Sequence, residues 1–155
     1  MDRAIITWDE EVVRAADVAE DKHPVLRSRG YFALLAARLD PEADLWRELE
    51  VLDMGYAFYD SLREGLLDDS RDFSASQRYA AENGKELIVM LGVLTDCSLG
   101  RITERFYGEV NDCLISRNQP LCNANREKPY EGRQLSIVNR GDYKPMQHRV
   151  WTRTK

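Results

Sequence analysis

Along most of the first 116 residues, apolar side chains recur every three or four positions, which is the spacing of one face of an α-helix. Trp8, Val12, Ala16 and Ala19 follow a Thr7-Trp8-Asp9-Glu10 capping box, in which hydroxyl and carboxylate satisfy each other's backbone amides. They predict a helix over about 8–20. Pro24 suits a first helical turn and opens a second helix over about 25–39, with Phe32, Leu35, Ala36 and Leu39 on one face. Asp40-Pro41-Glu42 reads as a third start, a capping aspartate followed by proline and an acid at the positive helix end. Leu45, Leu49, Leu52, Tyr56, Tyr59, Leu62 and Leu66 extend that third helix to about residue 67.

After a polar loop, Ser74-Ala75-Ser76-Gln77 looks like another capping box, and the fourth helix it starts should break at Asn83-Gly84. The run Leu87–Leu94 (LIVMLGVL) is short enough for a buried strand, but its Leu and Met content favours a buried helix, which is the assignment adopted. Ile102, Phe106, Val110, Cys113 and Leu114 define an amphipathic helix over about 101–116.

The pattern changes at Asn118. Pro120, Pro129, Pro145, Gly132 and Gly141 are spread among Asn, Arg and Gln, with no helical stripe. Gln134–Val138 and His148–Thr152 read as two short strands joined around Asn139-Arg140-Gly141-Asp142. The expected fold is therefore mainly α: a compact bundle of about five helices (residues ~8–116), then an extended, partly β-hairpin C-terminal arm. The division is 1–117, an acidic helical domain, and 118–155, a basic arm with too little apolar material for a core of its own.

Charge sharpens that division. Residues 1–115 carry 24 acidic and 13 basic side chains, whereas 116–155 carry 3 and 9, within a total net charge of −5. Such asymmetry suggests an interaction tail. In the tail Arg126, Lys128, Arg133, Arg140, Lys144 and Arg149 are interleaved with Tyr130, Tyr143 and Trp151, and these nine are the candidate partner-binding residues. Arg, Tyr and Trp are common anchors of protein interfaces. The same composition serves single-stranded nucleic acid through phosphate contact and stacking, so nucleic acid binding through 118–155 is the second reading.

Motifs for chemistry are sparse. Glu20-x-x-His23 is one half of a di-iron pattern whose second half is missing, and Pro24 follows it, so His23 reads as a helix-end histidine. Asp68, Asp69 and Asp72 lack the glycine and ligand spacing of a calcium loop. Leu94–Tyr107 has only the outline of a helix-turn-helix, on a body whose charge repels phosphates. Cys97, Cys113 and Cys122 read as free thiols. No catalytic residue, metal ligand set or cofactor is assigned, and an enzyme is the less favoured class.

The expectation is a non-enzymatic structural or interaction protein. Its acidic helical body oligomerises or docks in an assembly, and its basic arm contacts a neighbouring subunit or partner. A helical body with a polar arm resembles phage head-to-tail assembly adaptors in architecture alone. A third reading is a small acidic inhibitor of a host protein, pressing on its target the acids Glu42, Asp44, Glu48, Glu50, Asp53, Asp60, Glu64, Asp68 and Asp69. The longest apolar run is too short to span a bilayer, and the N-terminus does not read as a secretory signal. The expected location is cytoplasmic, or virion-associated if the chain is phage-encoded, without membrane contact.

Overall fold

A computed structural model describes residues 1–152. Its strands are β1 (Asp2–Trp8), β2 (Val13–Arg14), β3 (Gly30–Asp40), β4 (Leu45–Ala57), β5 (Glu86–Cys97), β6 (Leu135–Gly141) and β7 (Arg149–Trp151). They form one mixed sheet in the order β4-β3-β5-β1-β6-β7, curled into a half-barrel. β2 continues the line of β1 along β5. Neighbours are antiparallel except β1 and β6.

The five-helix bundle is thus corrected. The described helices are α1 (Leu62–Leu67), α2 (Ser74–Glu82) and α3 (Glu104–Asn118), with 3-10 turns at Ala15–Asp17 and Pro24–Arg27. The error has a physical cause in β3 and β5. A strand covered on both faces needs apolar residues at every position, so its sequence carries no alternation. In β3, Tyr31, Ala33, Leu35 and Ala37 pack toward α3, while Phe32 and Leu34 pack toward α1 and the 3-10 turns. In β5, Ile88 and Met90 take the first side, Val89 and Leu91 the second. Leu87–Leu94 is therefore strand, not buried helix.

β4 misleads for another reason. Its pairing with β3 slips between Leu34 and Leu35 and between Ala36 and Arg38, each slip placing an extra residue on β4. A bulge resets the two-residue alternation. Val51 and Met54 consequently share a face although three apart, as do Trp46 and Leu49. The stripe read as a helix face nonetheless mixes the two faces of the strand: Leu49 and Tyr56 pack on the α3 side, Leu52 with Ala36 and Ala80 on the other. The acids assigned to one helix face are also dispersed: Glu48 pairs with Arg38 (2.7 Å), Glu50 with Lys85, and Glu64 closes the α1 cap.

The helices that do form have local causes. Ser61 and Glu64 make a reciprocal capping box for α1. α2 starts at Ser74, its first amide bonded to Asp72, and ends at Asn83-Gly84, where Gly84 has φ 64°. The Thr103 hydroxyl accepts from the Phe106 amide at the head of α3. Phe106, Tyr107, Val110, Cys113 and Leu114 of α3 then fill the concave side of the sheet.

The extended C-terminal arm is corrected as well. β6 lies inside the sheet, between β1 and β7. The two strands expected at 134–138 and 148–152 form as β6 and β7, but their apolar residues share the main core rather than needing one of their own. Leu135, Ile137, Met146 and Val150 are all at most 4% exposed. Asn139, fully buried, accepts from the Trp8 indole N–H (3.0 Å) and donates to the Gln147 carbonyl (2.7 Å). Gly141 (φ 73°) closes so tightly on the Trp8 carbonyl that a Cβ would lie 2.3 Å from it.

Candidate interaction surface

The two faces of the sheet are covered unequally. α3 lies on the concave face, and α1, α2 and the 3-10 turns lie on the convex face over β3, β4 and the first half of β5. Beyond them, no element of the described residues covers the convex face of β1, β6, β7 and the end of β5. The registers Arg3↔Ser136, Ile5↔Val138 and Thr7↔Arg140 place these side chains together, and Ser136↔Trp151 and Val138↔Arg149 extend the row to β7. Ile5, Val93 and Val138 are half-buried; Arg3, Arg140, Arg149, Asp96 and Thr95 are exposed around them. Trp151 is 55% exposed. Three arginines, one aspartate and an exposed indole thus flank a short apolar strip.

The nine residues expected to bind a partner divide into three groups. Arg140, Arg149 and Trp151 lie on this open face. Arg126, Lys128, Tyr130 and Arg133 lie on the connection from α3 to β6, and there the chain uses two of them itself. Arg133 grips Glu109 through Nε and its backbone amide, reaches Asp2 (3.4 Å), and covers the Phe106 ring (5.3 Å). Burial raises the Glu109 carboxyl, but the hydrogen bonds from Arg133 outweigh it and hold its pKa low. The Tyr130 hydroxyl donates to the Arg133 carbonyl (2.6 Å), and burial, reinforced by Glu109, raises its pKa far above the usual value. Arg126 is half-buried and Lys128 exposed. Tyr143 and Lys144 sit on the β6–β7 connection, Tyr143 stacked on His148 (5.0 Å between centroids). The structure therefore does not gather the nine into one site.

Arg3, Ile5, Thr7 and Val93 belong to the open face but come from parts of the chain read as helical or as preceding a helix. Alternation in Arg3-Ala4-Ile5-Ile6-Thr7-Trp8 was the available signal, with Ala4, Ile6 and Trp8 buried.

Comparison with protein-family models, curated proteins and solved structures returns no match.

An apolar groove of about 430 Å³ lies between Val18, Leu66, Phe73 and Leu87, with the Arg14–Glu86 ion pair (3.1 Å) at its rim. The buried His23 ring accepts from the Val25 amide at Nδ1 (3.2 Å) and meets Asp9 at Nε2 (3.1 Å). With Nδ1 an acceptor, the proton is on Nε2, and His23 pins the 3-10 turn at Pro24–Arg27 to the end of β1. Among the described residues no group of three or more His, Cys, Asp or Glu is placed to hold a metal ion, and no helix is long and apolar enough to cross a membrane.

Proposed function

We propose that this protein is a non-catalytic interaction component that docks on an acidic protein surface through the open convex face of β1, β6 and β7. One observation carries the reading: Trp151 stands exposed on the same face as Arg149 two residues away, Arg3 across Ser136 in the same row, and Arg140 farther along β6, in a chain whose overall charge is negative. A large exposed aromatic rimmed by arginines is the composition of an interface centre rather than of a solvated surface. The local positive charge against a net of −5 favours an acidic partner and steers its approach. The partner is a neighbouring subunit of an assembly or another protein. The three free cysteines fit a reducing compartment, so we place the protein in the cytoplasm, or on a virion if it is phage-encoded.

The test is affinity capture from the native source with wild-type protein and with the triple variant R3Q/R140Q/W151A, each with and without nuclease. We expect an acidic protein retained by the wild type, at least tenfold depleted with the variant and indifferent to nuclease. Retention unchanged in the variant overturns the reading. Capture that disappears with nuclease replaces it with nucleic acid binding through the same basic and aromatic residues.

A further inference from the structure

The last strand of a sheet presents a row of unpaired backbone groups, and proteins usually blunt such edges. This chain straps the middle of the β4 edge with its own segment Leu121–Asn123. Leu121 donates to the Val51 carbonyl (3.0 Å), Cys122 donates to the Leu52 carbonyl (2.7 Å), and the Asn123 side chain accepts from the Met54 amide (2.7 Å). The β7 edge is treated differently. The His148 carbonyl accepts from the Asn139 amide (2.8 Å), and the Thr152 amide donates to Leu135 (3.0 Å). In an antiparallel pair the bonded residues alternate, so 148, 150 and 152 face β6, and the N–H and C=O groups of Arg149 and Trp151 point away from the sheet. A shallow depression of about 120 Å³ runs beside this edge, lined by Arg117, Gln147, Arg149, Val150 and Trp151. The Gln147 side chain donates to the Arg117 carbonyl (2.8 Å), which fixes the end of α3 next to the strand.

We propose that β7 receives an extended, acidic segment of a partner protein as an added strand. The proposal rests on the interaction reading above and names how the partner attaches. Backbone bonds to Arg149 and Trp151 hold such a segment, and alternate side chains give it specificity. Opposite Trp151 the convex face suits an apolar residue, and two positions on, opposite Arg149, a carboxylate. The charge also selects the occupant. A second copy paired β7 to β7 brings Arg117 and Arg149 of both molecules together, whereas an acidic strand neutralises them.

The probe is a displayed library of random ten-residue peptides, selected on the full chain, with the enriched peptides then measured by fluorescence anisotropy. R149P removes the outward N–H together with the charge and leaves the bonds of Val150 toward β6; an edge strand tolerates proline with its amide position facing solvent. R149Q removes the charge alone. We expect enriched peptides that are acidic and alternate with β-branched residues, binding R149P at least tenfold more weakly and R149Q less severely affected. Exchange measurements on the wild type, which need no variant to fold, should show the Arg149 and Trp151 amides protected by peptide. Enrichment of basic or proline-rich peptides, no enrichment, unchanged binding to R149P, or no protection of those two amides overturns the proposal. So does a dimer in light scattering that R149P dissociates. If the edge fails while a captured partner still needs Arg3 and Arg140, the face reading stands without strand addition.

Discussion

Arg133 and Arg149 carry the same charge in the same stretch of sequence, yet their surroundings give them different work. Arg133 is half-buried over Phe106 and bound to Glu109, which is only 12% exposed on its side chain. Removing the arginine side chain leaves a nearly buried carboxylate with only the exposed Arg105 (3.3 Å) as a cation. We expect Arg133→Ala to cost about 2 kcal/mol in urea unfolding, partial exposure keeping it below the loss at a fully buried pair. Arg149→Gln, at an exposed position, should leave the same curve nearly unchanged. A count of basic and aromatic residues cannot separate the two, because the distinction depends on Glu109 and Asp2, which are remote in sequence. Asp53 was equally opaque. Burial pushes its carboxyl up to about 6, against the opposing pull of the Met54 amide, Arg71 and Asn123. The folded state therefore binds this proton more tightly than the unfolded chain, and the contribution of Asp53 to stability falls as pH rises from about 4 to about 6. Asp53→Asn keeps an acceptor for Met54 and removes the ionisation. It should raise stability at pH 7 by about 1–2 kcal/mol, the full linkage value being reduced for solvent screening, and should flatten the decline between pH 4 and 6 in unfolding curves.

At the scale of elements, legibility followed the number of covered faces. α2 and α3 each have one buried face and an end signal near in sequence, so their boundaries were readable to within a few residues. Ser61 and Glu64 carry a similar signal for α1, but it was submerged in the stripe assigned to a longer helix. β3 and β5, covered on both sides, lack any period of their own, and in β4 the spacing of Leu49, Leu52 and Tyr56 joined residues of opposite faces into a false stripe. Thr103→Ala removes the hydroxyl that caps α3 and should lower stability by about 1 kcal/mol in thermal or urea unfolding. The loss should appear as a cooperative shift of the whole transition, because Phe106, Tyr107 and Val110 of that helix belong to the main core.

For the molecule as a whole, the consequential misreading concerned the last forty residues. Their apolar residues Leu135, Ile137, Met146 and Val150 are buried in the main core with those of the first strands. The sequence gives no direct sign that they share the core of the first strand. β6 binds along the whole of β1, and Asn139 holds the Trp8 indole, so the last strands complete a structure begun by the first residues. A 1–117 truncation is accordingly expected to lose cooperative thermal unfolding and near-ultraviolet circular dichroism rather than to leave a trimmed, stable body. A truncation that retains both would contradict this shared-core account.

The strap formed by Leu121–Asn123 has a further consequence for behaviour at high concentration. Fibres built by stacking strands need each molecule to offer two ends, one to receive and one to present. With residues 51–54 in the middle of β4 strapped by its own chain, that end offers a broken template. Growth by that route is hindered at one end, while the β7 end keeps its capacity for contact.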